Sequence, residues 1–490
     1  MNINFNKIIL LAFFILSYFY HFAQSPCKDK CYTKAKFNPT NFINGNVFAK
    51  KIWEGHEASI SCTPLIIDVV NDDIPELIIY KATNFYFSNE IFIIDSKTFI
   101  ILNKLSSPYF NASSTGSIVI ADIDNDCIKE IIIASSSDAN LNPENLKSRL
   151  VCYDLNGNIK WVSDDIYGKN LSTLEQSGDF GGGLILADFN QDGLAEVCIY
   201  NEIFNATNGK KLCDGGANGT GKSFTSGAGR TQSVCVAANF DNDGELELAA
   251  GFTIYDVNIT NPNGTTGNSM TPHNIDIGRL ADGFTSVADL NEDGILDVLV
   301  SGGGFYQLFP PINIDLYGYT LKNNATELLF TTNDDPFSFY GPIMIDKNAS
   351  TNNIEFYIMK SGKNLFDSLK NYIYKPDLNL KSNWYLILND ISYGTVPTLF
   401  DLDGDGFKEL IHRDEVSLKI FSLKTNSPVL LYSYPCISGT SAEMAVVADI
   451  DGTGEAKICV TCAENINDRN GRLTIFGPPP GQHWAPARNI

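Results

Sequence analysis

A short acidic loop recurs along this chain and decides what it can fold into. The fullest copy is Asp401–Leu410, DLDGDGFKEL, with carboxylates at alternate positions: Asp401, Asp403 and Asp405. Gly406 follows, then Glu409, then an apolar run that begins at Leu410. Carboxylates packed this densely repel one another unless a cation sits among them. Hard oxygen ligands, with Gly where the chain bends, are the donor set that Ca²⁺ takes. The pattern matches the first half of an EF-hand loop but lacks the Glu at its twelfth position. Leu410-Ile411 also has β character, so the loop joins two strands rather than two helices.

Further copies begin at Asp68, Asp122, Asp188, Asn239, Asp289 and Asp449, roughly 50–65 residues apart, with one interval near twice that. The long interval predicts a degenerate copy near residue 345. Tyr340–Lys360 fits it: an apolar run, Asp346, a longer polar loop, Glu355 and a second apolar run. Each copy sits between two apolar runs and is followed by an alternating hairpin, clearest in Arg149–Val162 around Asn156-Gly157. Four short strands per repeat make one blade of a β-propeller. No segment sustains a 3.6-residue period, so helical solenoids are excluded. The expected fold is all-β, a propeller of seven or eight four-stranded blades, and the spacing favours eight. Asn46–Gly55 reads as an outer strand and Gly471–Phe476 as the third strand of the last blade. The N-terminal strand is therefore expected to complete the last blade and close the ring. Three inserts, Asp164–Gly183, Asp214–Gln232 and Asn258–Ile277, are rich in Gly, Ser, Thr and Asn and read as surface loops.

The formal net charge of −22 argues against nucleic acid or an anionic membrane as partner. Acids at the key loop positions account for about that whole charge, which marks them as metal sites rather than a solubilising coat. Residues 1–23 read as a secretory signal peptide: Lys7, an apolar Ile8–Phe19, and a small Ala23 at the expected cleavage point. Residues 24–45 form a polar segment, and 46–490 the propeller. No later run is long and apolar enough to span a bilayer. Export permits disulfides. Cys27 and Cys31 are the expected pair, while Cys152, Cys198, Cys235 and Cys459 lie in apolar runs and read as buried packing residues.

The D-x-[DN]-x-D-G-x-x-[DE] loop framed by strands resembles the FG-GAP repeat, the integrin α-type repeat also called VCBS. Phe180-Gly181-Gly182-Gly183 and Tyr340-Gly341-Pro342 echo its name motif, and the resemblance runs from about Ile60 to the C-terminus. It implies calcium in loops joining the first two strands of most blades, about five structural sites in all. Carried over position by position, the implied ligands are Asp122, Asp124, Asp126 and Glu130, then Asp188, Asn190, Asp192 and Glu196. Next come Asn239, Asp241, Asp243 and Glu247, then Asp289, Asn291, Asp293 and Asp297, then Asp401, Asp403, Asp405 and Glu409. Cys127 stands where the second copy should have Gly. The first copy keeps Asp68, Asp72 and Glu76 but has Val70 at its third position, which weakens the case for metal there. The last has Thr453 and Lys457 at its fifth and ninth positions. Lys457 is expected to neutralise Asp449 and Asp451 in place of an ion. The ending, Gly477–Ile490, resembles the last repeat of exported bacterial surface proteins.

Gly216–Ser223, GANGTGKS, formally matches the phosphate-binding P-loop, but neither the strand before it nor the helix after it is predicted, so no nucleotide is expected. No Ser/His/Asp arrangement, GxSxG elbow or HExxH is present. The expected function is a non-catalytic binding or adhesion module for a protein or glycan at the cell surface. Its rival is a polysaccharide lyase, since eight-bladed calcium propellers include rhamnogalacturonan lyases.

Overall fold

Five repeats carry a strand that begins at the ninth loop position and is buried along its whole length: Glu196–Ile199, Glu247–Ala250, Asp297–Gly302, Glu409–Arg413 and Lys457–Cys462. A strand buried on both faces reads as an unbroken apolar run. The outer strands differ: Lys50–Ser59 and Val429–Pro435 vary between exposed and half-buried residues for most of their length. The short first strands, such as Leu65–Ile67, Ile185–Ala187 and Thr398–Phe400, are half-buried throughout. That gradient, buried in the middle and wetter at both edges, is what radially arranged blades produce.

The structure is a computed structural model. It describes residues 48–59, 62–82, 87–106, 112–113, 118–135, 149–164, 166, 183–225, 230–276, 282–302, 316–332, 340–348, 352–361, 367–374, 381–389, 397–425, 427–438, 444–465 and 470–487. Eight four-stranded antiparallel units follow in chain order. Blade 1 starts at Leu65–Ile67, blade 2 at Ile118–Ala121, blade 3 at Ile185–Ala187 and blade 4 at Cys235–Ala238. Blade 5 starts at Gly283–Ala288, blade 6 at Tyr340–Lys347, blade 7 at Thr398–Phe400 and blade 8 at Val446–Ala448. Ala112–Ser113 stitches blades 1 and 2 together along one edge. Blade 6 is the degenerate repeat, and it has kept all four strands. No helix occurs among the described residues, hence none long and apolar enough to cross a membrane.

Lys50–Ser59 pairs antiparallel with Asn470–Gly477 and is the fourth strand of that sheet. Buried apolar clusters join each blade to its successor and blade 8 to blade 1. Ile79 and Leu77 of blade 1 share a cluster with Ile131 of blade 2 and with Cys459 and Leu473 of blade 8. Blades 7 and 8 meet through Ile411, Ile420, Ile458 and Phe476, and Trp484 from the C-terminal segment is fully buried there. Each such aliphatic side chain contributes about 1.5–3 kcal/mol. Most outer strands also carry one extra residue, a β-bulge: Leu102, Lys160, Leu212, Leu329, Asn383, Leu431 and Ile52 in blades 1, 2, 3, 5, 6, 7 and 8.

The insert 214–232 is not the surface loop expected of it. Lys222–Thr225 and Arg230–Ser233 form a two-stranded ribbon, and Ser223 and Ser233 are buried. A Cβ at Gly219 would meet the Ala250 carbonyl oxygen at 2.1 Å. Asp282 accepts the N–H groups of Thr220 at 2.8 Å and Gly221 at 3.0 Å. These glycines are there for backbone packing, and a strand rather than a helix follows them, so no phosphate cradle forms. The insert 258–277 holds Ser269–Asn274, the outer strand of blade 4; most of 164–183 lies outside the described residues.

Cys152, Cys198, Cys235 and Cys459 are buried free thiols, as expected. The expected Cys27–Cys31 pair lies outside the described residues. Cys127 is disulfide-bonded, and a Cys436–Cys462 disulfide ties the end of blade 7 to the second strand of blade 8. Nothing in the local sequence marks those two as partners. Replacing Cys436 by Ser is expected to cost about 3 kcal/mol, seen as a lower melting temperature that reduction of the wild type reproduces. Unchanged melting after both treatments would show that the bridge contributes nothing.

Candidate metal loops

Each acidic loop leaves the first strand of its blade, turns twice through left-handed backbone, and enters the second strand. The fourth and sixth positions both have positive φ in the seven copies. Examples are Asn125 (62°) and Cys127 (70°), Gln191 (55°) and Gly193 (89°), and Gly404 (71°) and Gly406 (91°). Gly and Asn tolerate this region; for other residues it costs on the order of 1 kcal/mol. The need for Gly at the sixth position is readable in sequence. The equal demand at the fourth is masked there by Asn, Gln and Glu.

This backbone folds the side chains inward. The first-position carboxylate takes the N–H groups of the fifth and sixth residues: Asp188 from Asp192 and Gly193 at 3.0 and 2.9 Å. Asp122 takes them from Asp126 and Cys127, Asp289 from Asp293 and Gly294, and Asp401 from Asp405 and Gly406. The ninth-position carboxylates, Glu76, Glu130, Glu196, Glu247, Asp297 and Glu409, are at most 3% exposed. Each accepts the N–H of the second position, as Glu409 Oε2 does from Leu402 at 2.8 Å and Asp297 Oδ2 from Leu290 at 2.8 Å.

Three loops bring carboxylate oxygens within 4.8 Å of one another: Asp122, Asp124 and Glu130; Asp241, Asp243 and Glu247; Asp401, Asp403 and Glu409. These clusters could hold a metal ion. Asp126 and Asp405 stand outside their clusters, capping the N–H groups of Ile128 and Phe407. In blades 3 and 5 the third-position side chain is an amide. Asn190 Nδ2 donates to Glu196 Oε1 at 3.3 Å, and Asn291 Nδ2 to Asp293 Oδ2 at 3.0 Å. In the fourth loop Asn239 Oδ1 takes the Asn242 N–H at 2.6 Å.

The donor set fits a hard divalent cation. Burial, then the charges of Asp403, Asp401 and Asp405, push Glu409 up to about 8. Burial first and loop carboxylates second raise Glu196 and Glu247 to about 7 and Asp297 to about 6. Glu76 and Glu130 also rise, chiefly through burial. Carboxylates held together and out of water in this way stay ionised only with positive charge among them.

The first loop keeps this backbone: Asp68 accepts the Asp72 and Asp73 N–H groups, Asp72 caps Ile74, and Glu76 caps Val69. Val70 at its third position is half exposed and offers no ligand. In blade 6 Asp346 pairs with Lys408, and Glu355 accepts from Asn348 and Tyr357. Lys457 does not bind Asp449 and Asp451 as expected. Its Nζ lies 2.7 Å from Glu455 Oε2, and Glu455 also takes the Trp484 N–H at 3.3 Å. Its charge does help to lower Asp451, against burial. Glu455, itself held by His483 and Trp484 of the C-terminal segment, takes the lysine, which the repeat pattern could not show.

Neighbouring loops are also cross-linked. The fourth-position side chain reaches the sixth-position carbonyl of the next blade: Asn71 to Cys127 at 2.7 Å, Asn125 to Gly193 at 3.0 Å, Gln191 to Gly244 at 2.6 Å. His412 is fully buried in the second strand of blade 7, a packing position.

No family model matches the chain, and no curated protein matches it by sequence. Solved structures do match its shape. The Vibrio cholerae biofilm matrix protein Bap1 aligns over 90% of this chain and 92% of its own, with a TM-score of 0.57 and 15% identity. The Bacillus licheniformis rhamnogalacturonan lyase PL11 covers 88% of this chain and 76% of its own, at TM-score 0.52 and 13% identity. Rhamnogalacturonan lyase YesW covers 90% and 78%, also at 0.52 and 13%. At such identities the likeness defines the class, an all-β propeller, and nothing finer.

Proposed function

We propose that this chain is an exported, calcium-braced propeller of the FG-GAP type that binds a protein or glycan partner outside the cell without catalysing a reaction. The observation that carries this reading is the repeated buried ninth-position carboxylate, drawn towards its own loop backbone in blade after blade. Acids committed in this way brace turns and leave binding to the ring face. About five loops, those beginning at Asp122, Asp188, Asn239, Asp289 and Asp401, take Ca²⁺ through hard oxygen ligands. The Cys436–Cys462 disulfide supports an oxidising, extracytoplasmic setting. Similarity in fold to a biofilm matrix protein supports a role among surface polymers.

The second reading, a polysaccharide lyase, is supported by similarity in fold to two rhamnogalacturonan lyases. One pair of measurements separates the two. A binder gives specific signals on a glycan array or with surface extracts and releases no unsaturated sugar from rhamnogalacturonan. Ca²⁺-dependent release of such products would replace the binding reading with the lyase.

A further inference from the structure

The second loop already contains a cation. Lys160 Nζ donates to Asp124 Oδ2 at 2.9 Å and to Glu130 Oε1 at 2.7 Å. Those oxygens belong to two of the three carboxylates clustered in that loop. The backbone explains the reach. Ile159 pairs with Tyr153 and Trp161 with Cys152, so Lys160 is the bulge residue of its outer strand. At the same bulge, blades 1, 3, 5 and 7 place Leu and blade 8 places Ile. A bulge re-aims one side chain, and only in blade 2 does that side chain carry an ammonium. Among the described residues no lysine or arginine ion pair reaches Glu196, Glu247, Asp297 or Glu409. In blade 7 Lys424 pairs instead with Asp405, outside the cluster. Cys127, the disulfide-bonded residue at the sixth position, is a second departure in the same loop.

We propose that Lys160 is a built-in counter-ion that competes with the divalent ion for the loop Asp122–Glu130, making it the weakest calcium site of the series. An ammonium and a Ca²⁺ cannot share Asp124 and Glu130, so metal uptake requires Lys160 to leave. The other complete loops bear no such cost. Loop 2 is thus partly neutralised by the chain itself and keeps its shape at calcium levels that empty its neighbours.

This inference rests on the calcium reading, and the experiment separates their failures. Wild type, Lys160→Met and Lys160→Leu are titrated with Ca²⁺ by calorimetry; Leu is the residue that four other blades carry at this bulge. Melting is followed in EDTA and in Ca²⁺. The expected result is one further tight site in both variants, or one site tightened roughly tenfold or more. The variants should also melt lower than wild type in EDTA, where Glu130 has lost its partner, and recover in Ca²⁺. Calcium binding with the same stoichiometry and affinities in all three proteins would overturn the role of Lys160 alone. No calcium uptake by wild type or either variant would overturn the metal reading and this inference with it.

Discussion

Chelating calcium with EDTA is expected to lower the melting temperature by on the order of 10 °C, with each loop that loses an ion at a hundredfold excess over Kd forfeiting about 2.7 kcal/mol. The loss should deepen with rising pH. In the metal-free protein Glu409 titrates near 8, Glu196 and Glu247 near 7, against an ordinary 4.5. Between those limits the unfolded chain releases protons that the folded chain retains, so raising the pH favours unfolding. The stability is fully present below about pH 4.5 and is lost as pH climbs through 7–8. Calcium binds the ionised loop and reverses the trend, so its effect on melting should grow across the same window. Melting curves in EDTA and in Ca²⁺ at several pH values test this directly. A metal-free protein that becomes more stable from pH 5 to 8, or melts identically with and without Ca²⁺, would sink the bracing role.

The repeat architecture was readable in sequence because most blades repeat two local signals: the acid ladder and the largely apolar strand that follows it. Even blade 6, with its ladder gone, kept the apolar runs around Asp346 and Glu355. The chemistry of individual loops was less readable because it depends on residues distant in sequence. Lys160 reaches loop 2 through an outer-strand bulge, and bulges leave no mark in hydrophobic alternation. Lys457 is held by Glu455, itself tied to the C-terminal segment around Trp484. Cys436 and Cys462 meet across two blades. Gly219 and Gly221 read as part of a surface loop because glycine composition looks the same where the backbone is loose and where it must pack closely.

Deleting residues 48–59 is expected to abolish cooperative folding of the whole chain, although the segment is a single edge strand. In most sheets an outer strand can fray while the rest stays intact. Here the strand has two dependents. It pairs along Asn470–Gly477, and it reaches across to blade 1, where Trp53 stacks on Phe99 at 4.2 Å and His56 Nε2 meets the Phe99 carbonyl at 2.7 Å. Phe48 just before it accepts a hydrogen bond from Trp484 Nε1 at 3.2 Å. Ring closure through this strand is our proposal, and it makes a specific demand. Without it blades 1 and 8 become two open ends, and the cluster of Leu77, Ile79, Cys459 and Leu473 faces water. A closed ring has no strand that unfolds at its own expense alone. Hydrogen exchange on the deletion variant should therefore show protection lost in blades 1 and 8 together, with a broadened or absent melting transition. Protection lost in blade 8 alone, or a melt like that of the wild type, would mean that the strand is an ornament on a ring closed by other means.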